Sequence, residues 1–400
     1  MAASELYRLR PTIATTLQNE IAIRPRMDYG SRQKKFQQTL DGQHLDGFVV
    51  THPANLRYLC GYTGSNGLLL FLSGPSRAKA AATGYPKFAG RLTFFTDGRY
   101  SEQAREEVAG TRVVICKGPL LHDAAKLIGQ LASATIGFEA DYTTVASAQL
   151  LRKLVHRRIR WKPVAGLIMQ QRMIKDPDEL QLIAGAVKLG AAVYEEALPS
   201  LRPGIRESEV AGKLEYAARQ AGADGMSFET IVAAGKRAAL PHGRASRQAI
   251  PRRGFVVVDS GVILRGYCSD MTRTVHMGRV SREERRWYEA VLEAQLAGIA
   301  EVVPGKTAGQ VDQAARQTLR RAKLDRYFTH STGHGVGLEI HEPPRLGKGQ
   351  SERLEPGMVI TIEPGIYMPG KGGIRIEDMV VVTDRGCRVL TPVSKELVEI

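Results

Sequence analysis

No stretch of this 400-residue sequence approaches 18 consecutive apolar residues, so no segment is predicted to cross a bilayer as a helix. Cysteine is scarce. Cys60, Cys116, Cys268 and Cys387 lie far apart and form no C-x-x-C pair, which argues against a zinc knuckle, a redox motif or a disulfide framework. Acidic residues are outnumbered, 41 against 56 lysines and arginines, and the charge of +15 raises nucleic acid or an anionic membrane as partners. The surplus is uneven: residues 1–165 hold 23 basic and 12 acidic residues, and residues 166–400 hold 33 and 29. Solubility, or steering of anionic ligands, accounts for a surplus concentrated in one part of the chain, and neither nucleic acid nor membrane is expected as a partner. Near the amino terminus Arg8, Arg10, Arg24 and Arg26 would suit a targeting segment, but Glu5, Gln18, Asn19 and Glu20 interrupt any apolar signal core, and the glutamates disfavour an organellar presequence. A cytoplasmic protein with reduced, mostly buried thiols is expected. No internal repeat is evident.

What is present is an ordinary globular composition, 43% hydrophobic and 24% charged, over a length that suits two domains. From Asp46 to about Val164, strand-like runs (46–50, 67–73, 91–97, 112–117 and 135–140) alternate with helical patterns such as SEQAREEVA, LLHDAAKLIGQLA and TTVASAQLLRKLV. This predicts an α/β domain with a parallel or mixed sheet, interrupted by a surface excursion over 73–90. At IKDPDEL, Asp176, Pro177 and Glu179 carry a helix-start signature, and Leu180, Ile183, Val187, Ala191, Tyr194 and Leu198 follow as one apolar stripe. Ser281 with Glu284 and Thr307 with Gln310 announce two more helices, and strand hairpins lie between and after them. Helices and hairpins in runs predict an α+β domain, giving domains at 1–170 and 171–400.

Several carboxylates in this second domain stand in apolar surroundings. Asp259 ends the run Phe255–Val258, and Asp270 follows 11 residues later beyond a predicted Ser260-Gly261 turn, which sets both on adjacent strands of one hairpin. Glu363 ends MVITIE. Glu377 is predicted inside a strand, IRIEDMVVV, on the same face as Arg375. Buried acids are costly unless paired or bound to metal, and several on one sheet repel each other. Glu377 could form a buried ion pair with Arg375, and two divalent cations would balance all four carboxylates; the two roles are compatible. Oxygen-rich ligation with one imidazole suits Mn²⁺, Co²⁺, Fe²⁺ or Zn²⁺. The imidazole candidate is His334 in FTHSTGHGVGLEIHEPP, where Gly333, Gly335 and Gly337 allow close backbone approach and unusual dihedrals, with His330 and His341 on either side.

The ordered motifs VVVDSG, SDMTRT, THSTGHGVGLEIHEPP, ITIEPGIY and GGIRIEDMVVVT resemble the core of the "pita-bread" metallopeptidases of family M24, most closely the Xaa-Pro aminopeptidase and prolidase branch. The phrases YLCGYTGSNG and FTDGRYSEQA are similar to the creatinase-like domain that precedes the catalytic one in that branch. The resemblance implies a creatinase-like α/β domain followed by an α+β pita-bread domain. It implies two divalent ions, Mn²⁺ first: Asp259 on one, Asp270 and Glu377 bridging, His334 and Glu363 on the other. It further implies Glu363 as general base, His242, His330 and His341 around the scissile carbonyl, and Arg375 supporting the metal site or the substrate. The substrates implied are peptides with proline second, and the assembly a homodimer or higher homo-oligomer. The short amino-terminal domain favours an Xaa-Pro aminopeptidase over an Xaa-Pro dipeptidase. A non-catalytic pita-bread protein binding nucleic acid is the reading from another class, and complete retention of the five ligand positions argues against it.

Overall fold

The computed structural model describes residues 27–73 and 92–400. The arginine-bearing amino terminus and the excursion beyond Ser73 lie outside these residues. The described chain divides into two compact units, Met27–Arg172 and Met173–Ile400.

In the first unit, β1 (Gly47–Val50), β2 (Leu68–Leu72), β3 (Thr93–Asp97), β4 (Arg112–Cys116), β5 (Ala134–Glu139) and β6 (Ile159–Val164) form one sheet in the order β4-β3-β2-β1-β5-β6. β1 runs antiparallel to β2 and parallel to β5, so the sheet is mixed. The central strands GFVV and LLLFL are buried at every residue, which requires cover on both faces. Around them lie α1 (Tyr29–Gly42), α2 (Pro53–Cys60), α3 (Ser101–Glu107), α4 (Leu120–Ile128), α5 (Val145–Leu154) and α6 (Leu167–Met173). On one face α1 sets Phe36 edge-on to Phe48 and Phe71, with ring centroids 5.5 and 4.8 Å away. Ala124 and Ile128 of α4 pack with Val49, Leu68 and Leu70 on the other.

Four of these elements were not expected from the sequence: α1, α2, β6 and the short α6. α1 is polar, and it buries Arg32 and Gln33, whose side chains donate to the carbonyls of Tyr58, Leu59 and Ala109. α2 hides its helical pattern in eight residues. β6 carries Arg160, Lys162 and Pro163, a composition that an edge strand tolerates and an inner strand does not.

The second unit contains two helix pairs: α7 (Pro177–Ala197) with α8 (Glu207–Gln220), and α9 (Arg282–Ala300) with α10 (Ala308–Arg321). The capping boxes at Asp176, Ser281 and Thr307 all form. α7 is buried more widely than one stripe, because Leu182, Ala186, Leu189 and Val193 are covered as well. The pairs repeat one design. Each shorter helix follows a Pro-Gly turn whose glycine, Gly204 or Gly305, has φ near +85° (89 and 84), and its third residue, Glu209 or Gln310, accepts from the backbone N–H of Arg206 or Thr307. This repetition was not evident in the sequence, since geometry and capping chemistry recur while most side chains differ.

The strands of this unit are β7 (Gly225–Met226), β8 (Ile231–Ala234), β9 (Gly254–Ser260), β10 (Val262–Leu264), β11 (Tyr267–Cys268), β12 (Met271–Met277), β13 (Gly333–Gly335), β14 (Glu342–Leu346), β15 (Val359–Ile362), β16 (Gly365–Met368), β17 (Gly372–Arg375), β18 (Asp378–Thr383) and β19 (Gly386–Val389). They form the sheets β12-β9-β8 and β14-β13-β15-β18-β19, the ribbon β16-β17 and a small sheet β11-β10-β7. β9 is buried on both faces: Val256 and Val258 join a core with α7 and α8, while Phe255 and Val257 join another with α9 and α10. The turn expected at Ser260-Gly261 is displaced. The chain there enters β10 and reverses at Arg265-Gly266, where φ is +47° and +78°.

Candidate metal centre

Strand alternation places Asp259 on the face of β9 that carries Phe255 and Val257, opposite Thr272 of β12. Asp270 precedes β12. Its backbone N–H points at the Met379 sulfur, 3.1 Å away. Along β15, Ile360 and Ile362 face the core while Thr361 faces the other way, and Glu363 falls on the Thr361 side. Glu377 does not stand inside a strand as expected. The last pair of one sheet is Ile362 with Asp378, and the first pair of the ribbon is Gly365 with Arg375. Glu363-Pro364 and Ile376-Glu377 are the two crossings between them, so both glutamates occupy points where ladder pairing is interrupted and side chains are re-aimed.

His334 sits on β13, pressed between neighbours. A Cβ on Gly333 would lie 1.9 Å from the Thr361 carbonyl oxygen, and one on Gly335 would lie 2.3 Å from that of Pro343. Close approach alone explains these glycines, for neither has a left-handed φ. The His334 Nδ1 lies 3.0 Å from the Gly335 carbonyl, which can only accept, so Nδ1 carries the proton and Nε2 presents a lone pair. That lone pair faces carboxylates: Nε2 is 3.6 Å from Asp270 and 3.5 Å from Glu363. Ligand atoms of Asp270, His334 and Glu377 all lie within 4.8 Å of one another.

The electrostatics are those of a site built for cations. Burial, reinforced by the carboxylates of Glu377, Asp259 and Glu363, holds the Asp270 carboxyl well above its ordinary range. Burial and the charges of Glu363 and Asp259 do the same to Glu377. Glu363 is pushed up to about 8 by burial, against the opposing charge of Arg375. Burial lowers His334 to about 4. Asp259 Oδ1 and Glu377 Oε1 are buried without a hydrogen-bond partner among the described residues. Carboxylate oxygens left without a hydrogen-bond donor and an imidazole lone pair in one space fit a divalent cation.

Arg375 organises the surroundings. Its Nη2 donates to Asp259 at 2.6 Å, its Nε to Thr272 Oγ1 at 3.0 Å, and its Nη1 to the Pro241 carbonyl at 3.0 Å and to Tyr367 Oη at 2.7 Å. The ion partner of Arg375 is thus Asp259; Glu377 instead accepts from Thr272 Oγ1 at 2.7 Å. Tyr367 donates to His330 Nε2 at 2.8 Å, and His330 Nδ1 donates to the Ser331 carbonyl at 2.8 Å. Burial, with the nearby charge of Arg375, lowers His330 to about 3, in keeping with a neutral ring. Both nitrogens of His330 are engaged, so its hydrogen bonds brace Tyr367 and Arg375 and leave none for a carbonyl in the cavity. His242 and His341 do line the cavity and are exposed, and the His341 ring centroid is 4.4 Å from that of His334. The cavity, of about 900 Å³, also receives Phe228, Ile340, Arg244 and Arg345. Tyr367, Thr272 and Thr361 were missed in the sequence. Hydroxyl-bearing residues are ordinary strand formers, and only the position of Tyr367 four residues after Glu363 could have signalled it.

The description Metallopeptidase family M24 matches residues 181–384, and Creatinase/Prolidase N-terminal domain matches residues 32–174. The chain belongs to metallopeptidase family M24. The creatinase-like and pita-bread domains expected from the motifs are therefore both present. The Xaa-Pro dipeptidase of Pyrococcus furiosus is 33% identical over 366 residues, covering 92% of this chain and 99% of that one. Among solved structures, the Xaa-Pro dipeptidase from Bacillus anthracis shares 37% identity and a TM-score of 0.86, over 93% of this chain and 100% of that one. The X-Pro aminopeptidase from Thermotoga maritima shares 31% identity and a TM-score of 0.81, over 91% and 100%. As an M24 member the protein is a peptide-hydrolysing enzyme that works with divalent metal. No helix among the described residues is long and apolar enough to cross a membrane.

Proposed function

We propose that this M24 peptidase hydrolyses the bond between a first residue and proline, with Xaa-Pro dipeptides as its main substrates. The observation that carries the chemistry is the gathering of the Asp270, Glu363 and Glu377 carboxylates around the Nε2 lone pair of His334, with Asp259 Oδ1 and Glu377 Oε1 unpartnered among the described residues. Asp259, Asp270, His334, Glu363 and Glu377 would hold two divalent cations, Mn²⁺ first because the donors are mostly oxygen. Such cations lower the pKa of water and polarise a carbonyl. The chain's own residues supply the rest. Glu363 takes a proton from the attacking water and returns it to the proline nitrogen, which must leave as a secondary amine. His242 and His341, on the exposed wall of the cavity, hold the carbonyl and the developing negative charge. Arg375, braced by Tyr367 and His330, keeps Asp259 and the His242 segment in place.

The sequence favoured an aminopeptidase. Full-length similarity to Xaa-Pro dipeptidases moves the weight to dipeptides, and Arg345, fixed by its Nε to Ser331 Oγ at 2.7 Å on the cavity wall, offers a cation for a free carboxylate close to the cleaved bond. An open cavity of about 900 Å³ also admits a tripeptide, and this keeps the aminopeptidase as the second reading. Competing hydrolysis of Xaa-Pro and Xaa-Pro-Yaa after loading with Mn²⁺ decides between them: the dipeptide is expected to give the higher kcat/KM. Cleavage of the tripeptide alone would return the assignment to aminopeptidase, and no cleavage of either would sink the proposal.

A further inference from the structure

Behind the histidine segment lies a grip formed by residues outside the centre described above. Asp312, on α10, has a side chain only 1% exposed. Its Oδ1 accepts twice from Thr332, from N at 3.1 Å and from Oγ1 at 2.8 Å, and its Oδ2 accepts from Arg316 Nε at 2.7 Å, one helical turn on. Arg316 donates from Nη1 to the Phe328 carbonyl at 3.0 Å and from Nη2 to the His330 carbonyl, and its guanidinium lies over the Phe328 ring, 4.2 Å from the centroid. One turn of helix therefore holds alternate residues 328, 330 and 332 of the segment entering β13.

The held segment leads directly to two of the proposed ligands. The Thr332 carbonyl accepts from the backbone N–H of Glu363 at 2.8 Å. Gly333, next in sequence, fits against the Thr361 carbonyl with no room for a Cβ, and the His334 N–H donates to Thr361 Oγ1 at 3.1 Å. His334 and Glu363 thus depend on the same two residues, Thr332 and Thr361, for their separation. Asp259 is secured separately, by Arg375.

A buried ion pair adds little net stability over an apolar filler, so three donors gathered on a buried carboxylate serve to fix geometry. We infer that Asp312 and Arg316 are positioning residues that set the spacing of His334 and Glu363, and through it the affinity for the one cation which those two residues share. The inference rests on the ligand assignment proposed above. Outer partners of metal ligands act in this way, at a cost of roughly ten- to a hundredfold in affinity when removed.

The test is calorimetric titration of metal-free protein with Mn²⁺, comparing the parent with Asp312→Asn and Thr332→Val. Asp312→Asn keeps the shape and removes the charge that holds Arg316. Thr332→Val is nearly isosteric, removes one hydroxyl, and answers the question if Asp312→Asn does not fold. The parent is expected to bind two ions. In the variants one binding event should weaken by roughly ten- to a hundredfold, with the other within about twofold, as for a site with independent supports. Raising Mn²⁺ should then recover most of kcat. Folded variants whose two affinities match the parent's, or fall together, overturn the inference. A parent that binds no divalent cation overturns the proposed function instead.

Discussion

Each unit buries a glutamate at the end of a strand-like run, and the two are treated in opposite ways. In the first unit Glu139 accepts from the Thr51 and His52 backbone N–H groups at 2.7 and 2.9 Å, from Thr51 Oγ1 at 3.3 Å and from Asn55 at 2.7 Å, so both oxygens are satisfied. In the second, Glu377 accepts from Thr272 on one oxygen and leaves the other unpartnered among the described residues, facing further carboxylates. A buried charge ringed by donors holds a fold together; one ringed by acceptors waits for a cation. The difference separates structure from function more sharply than burial, which is nearly the same for both residues.

Substituting a carboxylate of the second kind is the strongest way to break this comparison. Asp270→Asn keeps the shape and removes one charge from the centre. Transition-state stabilisation by the cations should fall by about 4 kcal/mol, roughly a thousandfold in kcat/KM on an Xaa-Pro dipeptide. Activity within tenfold of the parent would mean that the unsatisfied carboxylates are not metal ligands.

The next contrast is one of sign. Glu139→Gln replaces an acceptor by an amide NH₂ facing backbone donors, and should cost about 2–3 kcal/mol of stability with or without metal. Glu377→Gln should do the reverse in the metal-free protein, since it removes a repelled charge and offers donors to neighbouring carboxylates, and it should melt higher than the parent in chelator. With excess Mn²⁺ the order should invert, because the parent gains binding energy that the variant lacks. Scanning calorimetry with and without chelator reads both arms; equal shifts for the two substitutions would erase the distinction.

The proposed ligand set was legible because polar residues in apolar strand runs violate a pattern, and Asp259, Asp270, Glu363 and Glu377 all do so. The supports were not. Thr272, Thr361 and Tyr367 obey strand propensity, and Asp312 sits in a helix where any charged residue passes as surface, so nothing marks them until pairing brings them together. The same contrast runs through the fold. β1 to β5 and the capped helices announce themselves by pattern, whereas β6 hides behind cations and proline that only an edge strand permits, and α1 behind polar residues satisfied by distant carbonyls.

The smallest expected effect is the pH dependence of the metal-free protein, where the comparison can be sharpened without a substitution. Glu363, ordinarily near 4.5, is raised to about 8 by burial, with the positive charge of Arg375 opposing and the negative charge of Asp259 adding. A carboxyl raised in the folded state binds its proton more tightly there than in the unfolded chain. Its contribution is fully present below about 4.5 and is lost as the pH rises through about 8. In chelator the second unit should therefore melt lower at pH 8 than at pH 5, by roughly a few degrees. Saturating Mn²⁺ should remove or invert the slope, since protons and cations compete for the same oxygens. A metal-free melting temperature that is flat or rising across this interval would show that the carboxylates are not crowded, and the contrast between Glu139 and Glu377 would lose its electrostatic basis.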